Sequence, residues 1–261
     1  MIHVASWTSR YRSGEHVAVW NEISAHGAAG VPENLREDAE KVAFETMHRV
    51  ATNLDVLVDR LSSANYAFAS PDTARQSPTT TDLEAIAKAE TIIGPLPLSV
   101  RACLTIVGSV DLCGDGGSLL PHVRYHTPLH ESCDVGPDPL VLHSGQMLWD
   151  QLSSVVGDLD LGCACTDPGE EEPCAFHASG FNFSIAPDRA AKENFSGGDQ
   201  YVNLPAAHPD PQLECEWAPI SLLGYLRLSL AWGGFPGYSI RPADVPPPPF
   251  LTKPSSPLLE F

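Results

Sequence analysis

The chain is poor in positive charge. Its 261 residues carry 15 Lys and Arg against 33 Asp and Glu, a formal net charge of −18. Such a surface repels phosphate backbones, which argues against a direct nucleic-acid binder. Long apolar runs are also missing. No stretch reaches the roughly 18 apolar residues of a membrane-spanning helix, so no membrane association is expected. Met1 to Trp20 holds Arg10, Arg12 and Glu15 and lacks the apolar centre of a secretory leader, so a cytoplasmic protein is expected. In that compartment an odd number of cysteines, seven, is a poor disulfide framework. Gly-x-Ser-x-Gly and His-Glu-x-x-His patterns are absent, and Gly114-Asp-Gly-Gly117 lacks the Lys-Ser/Thr of a phosphate loop. No catalytic residue can therefore be assigned from motifs, and nothing points to a nucleotide, flavin or haem. What the chain does have is 43 % apolar residues, enough to bury a real core and to make disorder throughout untenable.

Its organisation can be read from periodicity. Trp7, Tyr11, Val17, Val19 and Trp20 suggest a short strand or an ordered arm, followed by a loop from Gly27 to Pro32. From Leu35 to Leu61 apolar residues recur at helical spacing, so one long amphipathic helix is expected over 35–63, with Asn34 as cap and Glu37 three residues on. Residues 70–80 read as a linker. A second helix is expected from Thr81, with Glu84 in the capping-box position, to Ile93, and a third from Pro97 to Val107, each closed by glycine. Short apolar runs at 139–143 and 181–185 read as strands, 146–156 as a short helix and 220–232 as a last helix. The tail from Pro242 is proline-rich and expected to be extended.

Two passages make the chain look familiar. One runs Gly94-Pro-Leu-Pro-Leu-Ser-Val-Arg-Ala-Cys-Leu-Thr-Ile-Val-Gly-Ser-Val-Asp-Leu112. The other runs Ile220-Ser-Leu-Leu-Gly-Tyr-Leu-Arg-Leu-Ser-Leu-Ala-Trp-Gly-Gly-Phe-Pro-Gly237, with Ile185-Ala-Pro-Asp and Lys192-Glu-Asn-Phe-Ser-Gly-Gly upstream. Together they resemble an uncharacterised bacterial subgroup of the SUKH superfamily, related to the Smi/Knr cell-wall regulators. The resemblance implies an α+β fold, a mixed sheet with flanking helices, over residues 81–261. Residues 1–80 would then be a helical extension. It also implies a non-enzymatic role in protein binding, as an immunity or regulatory protein that blocks a toxin, often a nuclease.

Charge and cysteine supply the candidate sites. Residues 1–80 hold 7 basic and 10 acidic side chains, and residues 81–261 hold 8 and 23. From Tyr125 to Asp188 there is no Lys or Arg against eleven Asp or Glu, so an acidic face for a basic partner is expected there, including Asp158, Asp160, Glu170, Glu171 and Glu172. A merely solvated acidic surface is the plainer alternative. Trp232-Gly-Gly-Phe-Pro-Gly-Tyr238 reads either as a helix stop pinned by aromatics or as a partner-binding patch carrying Trp232 and Phe235. Cys163, Cys165, Cys174 and His177 offer three thiols and an imidazole, a set that tetrahedral zinc accepts, although Cys-x-Cys is tighter than the usual gap; the alternative function is then a zinc-binding protein or a metal-dependent enzyme using this loop. An acidic loop with ordinary thiols is the other reading. His122, His126 and His130 stand at even steps, but Pro121 and Pro128 argue against a regular element holding them together.

Overall fold

The computed structural model describes residues 5–127, 130–160, 180–214, 219–243, 245–252 and 258–261. The class is α+β. The chain opens with two helices, α1 (Trp7–Arg12) and α2 (His16–Ser24), where a strand or arm was expected. His16, Val19, Trp20 and Ile23 are buried at spacings of three and four, which is the helical pattern. The start of α1 is fixed by Asp38, whose carboxylate accepts hydrogen bonds from the Trp7 and Thr8 amides at 2.6 and 3.2 Å. Inside, the Trp20 indole donates to the Thr46 hydroxyl at 2.9 Å.

The spine is α3 (Glu33–Ser63), whose stripe of Val42, Met47, Val50, Leu54, Leu57 and Leu61 is buried throughout. Its N-cap is Pro32, so Asn34 lies inside the first turn and the expected Asn34–Glu37 capping box does not form. Glu37 pairs with Lys41 instead, at 2.6 Å. After β1 (Ala67–Phe68) and β2 (Arg75–Gln76) comes α4 (Thr80–Ile93), which carries a full capping box two residues earlier than expected, between Thr79 and Asp82. α5 (Leu98–Ala102) continues as a π-helical turn, Cys103–Val107, and stops at Gly108 with φ 78°.

The remaining strands are β3 (Ser109–Asp111), β4 (Gly114–Asp115), β5 (Val123–Thr127), β6 (His130–Val135), β7 (Val141–Leu142), β8 (Phe181–Pro187), β9 (Asp199–Leu204), β10 (Gln212–Leu213) and β11 (Ile220–Ser221). Between them lie α6 (Gly145–Asp160) and α7 (Arg189–Lys192), and after them α8 (Leu222–Ala231) and α9 (Pro249–Thr252). A mixed sheet does not form among the described residues. The strands pair antiparallel in five small sheets, of which only β2-β3-β7 has three members. Strands this short, interrupted by Gly, Pro and Asp, cannot extend into one wide ladder.

Residue 80 is not a boundary in the core. Tyr11, Leu54, Val100, Leu142, Phe183 and Tyr225 belong to one buried cluster, to which residues on both sides of that position contribute. No described helix is long and apolar enough to cross a membrane.

Candidate functional site

The Trp232–Tyr238 block closes α8. Gly233 and Gly234 take φ of 61° and 88°, the left-handed region that releases the chain from the helix. The chain then lies against the segment before β7. The Leu140 amide donates to the Gly234 carbonyl at 2.8 Å, and the Gly237 amide donates to the Pro137 carbonyl at 3.1 Å. A side chain at position 237 would collide with the Gly136 carbonyl oxygen, so glycine is required there by close approach alone. Phe235 and Tyr238 are fully buried, and the Tyr238 hydroxyl donates to the Pro121 carbonyl at 2.9 Å. Phe235 is therefore a core residue and corrects the expectation that it meets a partner. Trp232 is half-buried, with the Arg241 guanidinium 4.6 Å above its ring. The block is a clamp that holds α8 to the Gly136–Leu140 segment.

That segment carries a buried ion pair. Asp138 takes φ 45°, an unusual backbone for a residue other than glycine, and its carboxylate accepts from the Lys192 ammonium at 2.8 Å. Both side chains are 0 % exposed. Burial pushes the Asp138 carboxyl up from its ordinary range, against the pull of the ammonium. The second carboxylate oxygen, Oδ2, has no hydrogen-bond partner among the described residues, so this pair joins α7 to the clamp at a considerable desolvation cost. Asp138 therefore does not contribute to an acidic face.

In front of the β2-β3-β7 sheet lies a groove of about 640 Å³, lined by Gln76, Thr79, Asp111, His143, Ser144 and Gln146 among others. Asp82 organises its rim. One carboxylate oxygen accepts from the Thr79 amide and hydroxyl, and the other accepts from the Gln146 amide at 3.0 Å, so a single side chain caps the starts of both α4 and α6. Burial lowers the pKa of His143 from its ordinary 6.5 and keeps the ring neutral near pH 7. Nearby, burial and then the Asp111 carboxylate push the Cys113 thiol up to about 12, which leaves no thiolate nucleophile.

The depressed histidine gives a pH prediction. A lowered folded pKa contributes stability above the unfolded value of 6.5, and that contribution is lost as pH falls through the folded value. Wild-type stability should fall between pH 7 and pH 5, and His143→Gln should flatten that slope in urea titrations. An unchanged slope in the variant would reject the assignment. His16, lowered chiefly by burial in the same sense, supplies a residual slope.

The expected acidic face is described only in part. Asp158 and Asp160 stand in the last turns of α6, a helix that also holds Asp150 and no Lys or Arg. Glu170, Glu171 and Glu172 and the candidate zinc ligands Cys163, Cys165, Cys174 and His177 lie outside the described residues. The histidines at 126 and 130 fall on neighbouring strands, β5 and β6, rather than along one strand. Among the described residues no group of three His, Cys, Asp or Glu side chains could hold a metal ion.

The cations show a consistent pattern. Arg10 meets Glu15 and Glu22, Arg75 meets Asp55, and Arg101 meets Glu90, at 2.6–3.1 Å. Arg241 donates to the Val245 carbonyl at 2.9 Å, and Lys88 lies 5.8 Å over the Trp149 ring. Positive charge is used locally, and the acidic surplus is left uncompensated. No family model, no curated protein and no solved structure matches the chain.

Proposed function

We propose that this chain is a non-enzymatic protein-binding module of the immunity or regulatory kind implied by its SUKH resemblance. It docks on a basic partner, such as a toxin, through the acid-rich stretch between β5 and β8. The observation that carries this reading is the engagement of cations at home while the stretch from Tyr125 to Asp188, α6 included, contributes no Lys or Arg of its own. Carboxylates that lack local counter-ions project a field that speeds encounter with a positive surface. A carboxylate-rich cover also suits a surface evolved to hold phosphates, as on a nuclease.

The test is a low-salt pull-down with the purified chain, identification by mass spectrometry, and association kinetics with the partner recovered. The expected result is one basic protein, lost at high salt as screening shortens the range of charge attraction to about 3 Å at 1 M. Asp150→Asn, Asp158→Asn and Asp160→Asn together should slow association at least about tenfold. A partner held equally well at high salt, or an unaltered association rate in the triple variant, would sink the reading.

A further inference from the structure

On the side of the molecule formed by α2, α3 and α8 runs a second groove, of about 650 Å³. The segment Leu258–Phe261, which forms neither helix nor strand, makes one wall of it. It is held mainly through its own main chain. The Asn53 side-chain amide donates to the Leu259 carbonyl at 2.8 Å, and its oxygen accepts from the Leu259 amide at 2.7 Å. Arg49 donates to the Glu260 main-chain oxygen at 3.2 Å, and Arg227 donates to that of Phe261 at 2.8 Å. Phe261 is the most deeply buried of the segment's side chains, and Leu258 packs partly buried against the core. Phe261 is 8 % exposed, with the Arg227 guanidinium 5.7 Å from its ring centre, whereas Leu259 is 46 % exposed.

This is how a protein reads a short peptide: paired main-chain hydrogen bonds give grip and one pocket gives selectivity. Asn53 is the telling residue. It sits 1 % exposed on the apolar stripe of α3, and both ends of its amide are spent on the N–H and C=O of one residue, Leu259. Among the described residues Leu259 alone meets this amide.

We propose that the seat of residues 258–261, on Asn53, Arg49 and Arg227 beside this groove, is a peptide-binding site that the segment itself occupies in cis. It accepts in trans a partner protein's segment in which two residues read through their main chain precede a buried aromatic side chain. The site is separate from the acid-rich stretch and does not rest on that reading. A tethered plug competes at an effective concentration of about a millimolar, so the intact chain hides the site from dilute partners.

The experiment uses full-length chains and a fluorescein-labelled peptide, Pro-Leu-Leu-Glu-Phe. Phe261→Ala should bind it saturably, and wild type at least about tenfold more weakly because its own tail competes. Adding Asn53→Leu to Phe261→Ala should abolish binding while the circular-dichroism spectrum stays folded. The wild-type chain gives an independent reading: excess unlabelled peptide should speed hydrogen exchange at the Leu259 amide by displacing the tail. Absence of saturable binding to folded Phe261→Ala, equal binding to both chains, or binding that survives Asn53→Leu overturns the proposal. If Phe261→Ala does not fold, unchanged Leu259 exchange at millimolar peptide overturns it.

Discussion

Lys192→Met is expected to destabilise the fold by about 3–5 kcal/mol, the cost of leaving a buried carboxylate without its partner. The side chain removed is fully buried and makes the 2.8 Å contact to Asp138. Two further results should distinguish this cause from lost packing. The first is pH dependence. Without the ammonium, burial remains the largest influence on Asp138, opposed by the Arg189 charge and aided by Glu193, and holds its carboxyl above the ordinary 3.8. A raised folded pKa gives stability that is present below the unfolded value and lost as pH rises through the folded one. The variant should therefore recover part of its loss in mild acid. The second is rescue. Asp138→Asn in the Lys192→Met background removes the charge, and asparagine tolerates the φ of 45° that a leucine would not. The double variant should be more stable than Lys192→Met alone. Urea titrations of the four chains read all of this, and additive losses in the double variant would show that the two side chains do not act as a pair.

Gly237→Ala should cost about 3 kcal/mol, at the upper end of what overpacking by one methyl costs. The obstacle is the Gly136 carbonyl oxygen, with the Asp138 Cβ 2.8 Å away as well, so no flexible side chain can move aside. To make room, α8 and the Gly136–Leu140 segment must separate, which strains the 3.1 Å bond from the Gly237 amide to Pro137. A thermal melt within a degree of wild type would contradict the close approach. By contrast, Gly14→Ala meets no atom within 4 Å, although its φ of 103° still carries backbone strain. It should cost less than Gly237→Ala.

Periodicity located most helices because their buried faces repeat every three or four residues. The spine α3 was legible from Leu35 to Leu61, and its end fell on the expected residue, Ser63. Starts were less legible. Several residues near each start can serve as caps, and Thr79 with Asp82 competed with Thr81 and Glu84 two residues later. The opening helices were missed because Trp7, Tyr11 and Trp20 weigh toward strand, while the decisive spacing begins at His16, a residue not counted as apolar. Sheet architecture was not legible, since pairings such as Val110 with Leu142 join distant residues whose local sequence carries no mark of the partner.

The candidate sites were legible only as charge and spacing. The long gap in Lys and Arg could be counted directly. The Asp138–Lys192 pair could not, because 54 residues separate two side chains that look like ordinary surface charges. Asn53 was hidden for a similar reason: its partner is a main-chain unit at Leu259, 206 residues away, which no side-chain pattern advertises. One signal was available and unused. Asn53 interrupts an apolar stripe between Val50 and Leu54, and a polar residue in a buried stripe asks for a partner.

The helix α3 also has a mechanical consequence. The first described helix is tied to it at Asp38, and the last described segment is tied to it at Asn53. At 1.5 Å per residue these attachment points are about 22 Å apart along one axis. A pull applied between residues 7 and 259 would run through this rod as tension along its own hydrogen bonds, while the Asp38 and Asn53 contacts take the shear. The small sheets, the clamp at Gly237 and the buried ion pair stand outside that load path, so the chain should yield first at its two fastenings and keep its centre intact.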